Sequence, residues 1–380
     1  MKIQTQLKIG KLTDDFRGES VYDGKRVILD GVIPEDEAEV ELNAYINGVY
    51  YGKVKRLVCR SPLRVKPECP YFYECGKCAL QYMDYGFQKG RKTKLVADEV
   101  KGAKVYECEG LYYPYRYRNR TSLTFSHSGG RIVIGYEAEK TGRVTDIEDC
   151  TVCGKWIVTL LNCLRNFAGK FSLKAFSPAS GEGVLKKCRA MYAEGAVCLT
   201  LHTTVSKVIG LNWLMKELER EFGKAELYVF SEGFDTGAPL TYRVGSGRIP
   251  GGEYISGTRV LTPETEIPKC ENLHKKLIKE IKDKSTSESI NECRGVLSGY
   301  DFIRPDVKGK TLISNNAGNL EERAKAIRPD RVMFFAEDIA ALRTGLAQSE
   351  AAGYIIEYAV PYDMLAQTKN VSALVSLCRK

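Results

Sequence analysis

Long apolar runs are absent from this sequence. No stretch approaches the roughly eighteen consecutive apolar residues that a membrane-spanning helix requires. The N-terminal MKIQTQLKIGKLTDD also contains no apolar run of signal-peptide length. We therefore expect a cytoplasmic protein in reducing surroundings, with no membrane partner.

Cysteine and histidine are sparse as well. The 380 residues include 13 cysteines, too few for the disulfide scaffold of a small secreted protein, and only 3 histidines. His127 and His202 stand apart from any candidate nucleophile in the sequence. We interpret both as structural residues rather than catalysts.

The chain also lacks a strong charge imbalance. Its 57 lysines and arginines against 48 aspartates and glutamates give a net charge of +9. This modest basic excess suits a polyanionic partner and is equally compatible with many enzymes. A chain of this length should fold as two or three domains with sizeable cores.

Three of the cysteines are concentrated in CPYFYECGKC, residues 69–78. Cys69, Cys75 and Cys78 form a C-x5-C-x2-C pattern. A turn at Gly76 lets the last two thiols face one metal centre, and the longer loop lets the first return to it. Iron–sulfur clusters and structural zinc ions both take four ligands, usually thiolates, so a fourth ligand is needed.

The candidates for the fourth ligand are Cys150 and Cys153, in the distant DCTVC. Only folding can join either of them to the first three cysteines. The alternatives to metal binding are a disulfide pair or cysteines buried as small apolar residues.

Residues 1–60 alternate apolar and polar side chains between turn signals such as Asn47-Gly48. The pattern predicts a small antiparallel β-barrel of the OB type, a class that often binds oligonucleotides. An ordinary half-buried surface strand is the alternative to RNA contact for its last strand. That strand carries two rings and three cations together: Tyr50, Tyr51, Lys53, Lys55 and Arg56.

Aromatic and basic residues interleave from 71 to 131, most clearly in YYPYRYRNRTSLTF at 112–125. Lys and Arg neutralise phosphates and aromatic rings stack on unpaired bases, so the segment favours single-stranded or looped RNA. If it is a strand, alternation sends Arg116, Arg118 and Arg120 to one cationic face. The alternative is a surface strand whose arginines pair with nearby acids, among them Glu137, Glu139, Glu148 and Asp149.

The remaining chain alternates strand-like segments with amphipathic helices. We predict a multi-domain α/β protein in three parts. They are an OB-like barrel at 1–60, a cysteine-bearing and RNA-binding α/β domain at 61–265, and a C-terminal α/β domain at 266–380.

Several segments together resemble the RNA uracil-C5 methyltransferase family. The N-terminal barrel is similar to that family's TRAM domain. The resemblance continues in order through CPYFYECGKCALQYMDYGFQKGRK, YRYRNRTSLTF, GYEAEKTGRVTDIEDC and GEYI at 252–255. It implies an rRNA or tRNA partner and a 4Fe-4S cluster, with Cys153 left over and four ligands: Cys69, Cys75, Cys78 and Cys150.

The resemblance also implies a Rossmann-like domain that binds S-adenosylmethionine and methylates C5 of uridine. That reaction uses a thiolate that adds to C6, a base that removes the C5 proton, and a glycine-rich turn that holds the cofactor. Here Glu337 occupies the nucleophile position and Ser372 the base position. SNNAG at 314–318 replaces an Asp-Pro-Pro-Arg turn, and no acidic, glycine-rich loop follows the segment 271–284.

We therefore expect a shortened Rossmann-like domain without catalytic residues, in a monomeric RNA-binding iron–sulfur protein that is a pseudoenzyme. Binding of S-adenosylmethionine should be lost with the cofactor loop. One alternative is an active RNA (uracil-5-)-methyltransferase that uses Cys293 or Cys378 as its nucleophile. Another is an iron–sulfur protein whose redox or structural role is unrelated to RNA.

Overall fold

The structure is a computed structural model that describes residues 2–139, 141–193, 195–244, 267–298, 300–304 and 306–380. Three β-sheets and the helices packed on them account for most of these residues. The prediction of a multi-domain α/β protein with several sheets is confirmed. The GEYI segment at 252–255 lies outside the described residues.

The first sheet has six strands, in the order β1-β5-β6-β4-β3-β2. Their bounds are β1 Ile3–Lys8, β2 Lys11–Leu12, β3 Gly18–Tyr22, β4 Lys25–Leu29, β5 Glu37–Ile46 and β6 Val49–Cys59. In β5 every second side chain, at Ala38, Val40 and Leu42, is buried in a small core. Asn47 and Gly48 join β5 to β6 with positive φ angles of 51° and 82°, which suit a tight hairpin turn.

Two helices of unequal length follow the first sheet. Helix α1 (Phe72–Cys75) is a single turn, and helix α2 (Tyr85–Val100) begins where the Asp84 carboxylate accepts a hydrogen bond from the Phe87 N–H at 2.9 Å. A two-residue strand, β7 (Lys104–Val105), comes next. The buried face of α2 packs in the same core as the third sheet, not the second.

The second sheet has seven strands, in the order β10-β9-β8-β11-β12-β13-β14. Its strands and helices are β8 Arg120–Ser128, β9 Arg131–Glu137, β10 Val144–Asp146, α3 Trp156–Lys170, β11 Leu185–Ala193, β12 Ala196–Thr203, α4 Leu211–Phe222, β13 Lys224–Ser231 and β14 Leu240–Arg243. Both helices bury their apolar faces on this sheet. Amphipathic helices of the kind that the sequence predicts are therefore present in this part of the chain.

The third sheet has six strands, in the order β15-β16-β17-β19-β18-β7. Its further elements are α5 Glu271–Lys284, β15 Glu288–Asn291, β16 Lys310–Ser314, α6 Leu320–Ile327, β17 Arg331–Ala336, α7 Ile339–Ala351, β18 Tyr354–Tyr362 and β19 Ser372–Arg379. β15, β16 and β17 are parallel, and β19 runs antiparallel to both of its neighbours. Among the described residues of 292–309, no α-helix joins β15 to β16.

A buried ion pair ties α2 to the third sheet. The Lys92 ammonium lies 2.6 Å from the Asp363 carboxylate, and neither side chain is exposed. β7 adds to the same connection, because it pairs with β18 at the edge of the sheet. The division into 1–60, 61–265 and 266–380 stays a prediction, and it does not anticipate this packing. Within the described ranges, no helix is both long enough and apolar enough to cross a membrane.

Candidate cysteine site and an adjacent pocket

Three cysteines that are close in the sequence and a distant fourth line one small cavity: Cys69, Cys75, Cys78 and Cys150. Helix α1 supplies the local geometry, because Gly76 ends it in a left-handed conformation with φ 73° and turns the chain back on itself. The thiols are close enough for a charge on Cys150 to raise the pKa of each of the other three. Burial is the larger cause in each case, and it raises the pKa of Cys78 to about 12.

Cys153 lies beside this group but does not line the cavity. It is fully buried, and its Sγ lies 3.7 Å from the Tyr136 hydroxyl. Hydrogen bonding from Cys153 lowers the pKa of Cys150 to about 6, against the effect of burial. The position of Cys150 agrees with its predicted role as the fourth ligand, which stays a prediction.

The donor set of this cavity consists of four thiols. No group of three or more His, Cys, Asp or Glu side chains in the described part of the chain forms a site for one ion. A cluster of four irons and four sulfides holds its cysteines farther apart, each on a different iron. Four thiols on one shared cavity are the donor set that such a cluster takes, and the cluster itself stays a prediction.

A buried amide is directed into this cavity. Gln81 is fully buried and its Oε1 accepts a hydrogen bond from the Cys69 N–H at 3.1 Å. The same side chain also forms a hydrogen bond with Cys78, which lowers the pKa of that thiol against the larger effect of burial. Gln81 therefore supplies an amide donor to one of the four thiols.

Arg116 supports the loop that carries Cys150. Its guanidinium forms two 2.7 Å bonds to the Asp149 carboxylate and also donates to the Cys150 and Cys153 carbonyls. The pairing with Asp149 is the one that the alternative interpretation anticipated. Arg116 also has a φ of 56° and precedes the strand, which begins only at Arg120.

Arg118 and Arg120 line two different sites. Arg118 lines the cysteine cavity, while Arg120 lines a second pocket at the C-terminal domain. Strand alternation therefore does not place the three predicted arginines on one face, because the residues before Arg120 are not in a strand. Their contact with RNA stays a prediction.

The cations predicted on the first sheet are on its surface. Arg56 forms two hydrogen bonds to Glu39, and Lys55 pairs with Glu41 at 3.1 Å. Lys53 is exposed and forms no ion pair with a described residue. The neighbouring ring of Tyr50 packs against the rings of Tyr22 and Tyr45. These residues remain predicted RNA contacts.

The second pocket, of about 180 Å³, contains both positions that the resemblance assigns to lost catalytic groups. It opens where β17 ends and β19 begins. The Ser372 hydroxyl donates to the Glu337 carbonyl at 3.0 Å, and the Lys269 ammonium lies 3.6 Å from the Glu337 carboxylate. Glu337 and Ser372 therefore lie side by side in the structure, and their assignment to lost catalytic positions stays a prediction.

A cysteine that the sequence interpretation overlooked lies in this pocket. Cys270 precedes α5 and is 1% exposed, and burial raises its pKa to about 11 despite nearby backbone N–H groups. One turn later, burial lowers the pKa of His274 to about 4, and its Nε2 has no partner among the described residues. Cys293 and Cys378 do not line the pocket. Only folding brings Cys270 beside Glu337, so spacing gave no signal for it.

Comparisons with known proteins identify several with similar sequences. No family model matches the chain. A 23S rRNA (uracil(1939)-C(5))-methyltransferase RlmD of Pectobacterium carotovorum is 34% identical over 157 residues, 40% of this chain and 35% of that protein. An uncharacterized RNA methyltransferase of Halalkalibacterium halodurans is 25% identical over 206 residues, 52% of this chain and 45% of that protein. The match thus spans half or less of the length of these curated relatives.

One solved structure shares the fold along nearly the whole chain. It is the Pyrococcus abyssi tRNA (uracil-54, C5)-methyltransferase in complex with S-adenosyl-L-homocysteine, with a TM-score of 0.74 and 17% sequence identity. The alignment covers 98% of this chain and 100% of that one. At this identity the likeness concerns the fold alone.

Proposed function

Because the chain is related to the RNA uracil-C5 methyltransferases, we propose that it is an RNA-binding iron–sulfur protein of this group that has lost methyl transfer. The observation that carries the proposal is the contrast between two sites in one chain. Four cysteines face one cavity, whereas Glu337 and Ser372 stand in the pocket where a thiol and a carboxylate are needed. In this proposal the first sheet is a TRAM-like barrel and the third is a shortened Rossmann-like domain.

Cys69, Cys75, Cys78 and Cys150 would hold the 4Fe-4S cluster. When bound, such a cluster supplies one-electron chemistry or a rigid cross-link between distant segments. The protein's own contribution is to hold the Cys150 loop in place, which Arg116 does through Asp149 and two backbone carbonyls. The loop and the C-x5-C-x2-C segment then move as one unit.

RNA binding would begin at the first sheet. Lys53, Lys55 and Arg56 are exposed there, and exposed ion pairs such as those of Lys55 and Arg56 exchange readily for phosphates. Pairing within the protein makes Arg116 a weaker candidate for phosphate contact than these three.

The third sheet supports the loss of methyl transfer in this proposal. β15 pairs directly with β16, and the described residues between them contain no α-helix or further strand of the kind that builds a dinucleotide-type cofactor site. A carboxylate at Glu337 does not replace the thiolate, because addition to C6 needs a soft nucleophile that is also a leaving group.

Three measurements on anaerobically purified protein test the proposal. We expect about four irons and four sulfides per chain, RNA affinity that falls steeply with salt, and no binding of S-adenosylmethionine at millimolar concentration, an interaction weaker than about 4 kcal/mol. Replacing Lys53, Lys55 and Arg56 by alanine should flatten the salt slope by up to about 0.7 per lost contact. The exposed Lys216→Ala on α4 is the control. An unchanged slope in the triple variant would refute the barrel contact.

A second candidate function, active methyl transfer, is favoured by one observation. Cys270 and Glu337 line the same pocket, so a thiol and a carboxylate are both present, on other elements than the resemblance implies. S-adenosylmethionine, bound by a relative with this fold as its demethylated product, would be the methyl donor. Formation of 5-methyluridine that Cys270→Ser abolishes would establish this function and refute the first.

A further inference from the structure

One cation lines the cysteine cavity without a carboxylate of its own. Arg118 is partly buried, and its guanidinium makes no ion pair with any acid in the described part of the chain. Asp149, the carboxylate that lines the same cavity, is already paired with Arg116 and lies 3.6 Å from Lys155. The positive charge of Arg118 is therefore not neutralised by its surroundings.

The backbone of Arg118 is held firmly in place. Its N–H donates to the Val152 carbonyl at 2.8 Å, and its carbonyl accepts bonds from the Gly154 N–H and the Trp156 indole. The segment that carries Cys150 and Cys153 is thus fastened directly to Arg118. A partly desolvated cation fixed beside four thiols indicates an anionic occupant, since burying an unpaired charge is otherwise unfavourable.

Gln81 adds a second group of the same kind from another element. Its Oε1 accepts a hydrogen bond from the Cys69 N–H, and the side chain also forms a hydrogen bond with Cys78, so its amide donor lies beside one of the four sulfurs. Lys77 also lines the cavity, but its side chain is exposed and water screens its charge. Arg118 and Gln81 are therefore two donors, one charged and one neutral, among the residues that line this cavity.

We infer that Arg118 and Gln81 are positioning residues that set the reduction potential of the iron–sulfur cluster held by the four cysteines. This inference rests on the proposed function. A 4Fe-4S cluster with four thiolates is an anion, and one-electron reduction adds a further negative charge. A nearby cation and an N–H donor stabilise the reduced form more than the oxidised form, so both raise the potential. The role of Arg118 is then inside the protein rather than on the RNA surface.

The test is a redox titration with dithionite, followed by visible absorption and electron paramagnetic resonance. Arg118→Gln removes the charge, and Arg118→Lys retains it. Arg220→Gln on α4 removes an exposed cation elsewhere on the second sheet. We expect Arg118→Gln to shift the reduction equilibrium at least tenfold toward the oxidised form, a fall of 59 mV for a one-electron couple. Arg118→Lys should remain near the wild type, and Arg220→Gln should match it.

Each outcome decides the inference. A loaded Arg118→Gln protein with an unchanged potential would overturn it and leave Arg118 a purely structural residue. If that variant retains no iron, Gln81→Glu decides instead, because it keeps the acceptor for the Cys69 N–H and replaces the donor by a carboxylate. Its potential should fall, and an unchanged value would overturn the inference. If the wild-type protein takes up no cluster, the proposed function itself is refuted. That result is separate from the potentials measured for the variants.

Discussion

The cysteine cavity and the second pocket flank the same short backbone segment, since Arg118 lines one and Arg120 the other. At the cavity, neighbouring side chains hold the loop that carries Cys150 in place, as Arg116 does by pairing with Asp149. Around the pocket, Glu337 is 60% exposed and its contact with Lys269 is loose. Two adjacent sites in one fold can therefore differ in how much supporting structure each retains.

The largest expected effect is on the cysteine side of this comparison. Cys150→Ser should abolish iron binding, because hydroxyl oxygen is a poor ligand for a thiolate-held cluster. Cys153→Ser should retain iron, since that thiol lies outside the cavity. Iron content and visible absorption after anaerobic purification distinguish the two. The reverse result would exchange their assignments.

A second prediction concerns the buried ion pair between Lys92 and Asp363, which joins α2 to the third sheet. Lys92→Ala leaves the Asp363 charge buried without its partner, which should destabilise the protein by about 3–5 kcal/mol. Lys94→Ala on the same helix removes only an exposed pair with Asp98 and should change stability by less than about 1 kcal/mol. Urea unfolding measures both. Equal effects would mean that the buried pair contributes no more than a surface one.

A third prediction concerns His274 in this pocket, which should make the free energy of unfolding depend on pH. Burial lowers the pKa of His274 from 6.5 to about 4, so the unfolded chain binds a proton between these values while the folded chain does not. Stability should thus fall as pH drops from about 6.5 toward 4, by roughly 3 kcal/mol in total. His274→Leu should flatten this pH dependence. His127→Leu, at an exposed position, should leave it unchanged, and a steep profile in His274→Leu would assign it to other groups.

The smallest expected effect tests whether the pocket can be repaired. Glu337→Cys combined with Ser372→Glu restores the residue types of the family pattern but not a cofactor site. Catalytic groups that act as a unit are strongly non-additive, so no methyl transfer from labelled S-adenosylmethionine to RNA should appear. Appearance of 5-methyluridine would show that the cofactor site persists in a form that the strand order does not reveal.

Local patterns account for what the sequence predicts well. The C-x5-C-x2-C motif specifies a tight turn by itself, and the alternation over residues 1–60 specifies strands whose faces are seen in β5. The adjacency of Glu337 and Ser372 agrees with the two resembling segments that carry them, while their catalytic assignment stays a prediction. In each case the relevant contacts are short in sequence or follow a known order.

Contacts between distant segments account for what was missed. The arginines at 116 and 118 look alike in sequence, but one is drawn to Asp149 and the other to the cysteine cavity. Cys270 enters the pocket only because α5 begins there. The sheet against which α2 packs is likewise set by a core that contains both Leu95 and Val375. Periodicity predicts which face of a helix is buried, but not against which sheet.

The packing of α2 and β7 on the third sheet has a consequence for how this chain can change over evolutionary time. The helix that directly follows the cysteine motif has its apolar face covered by the C-terminal sheet, and β7 protects the edge of β18 from pairing with another chain. A deletion that removed 266–380 would expose both surfaces and unsettle the segment that carries three of the four cysteines. Single residues of the second pocket can therefore change without exposing these surfaces, whereas the segment 266–380 cannot be removed as a unit.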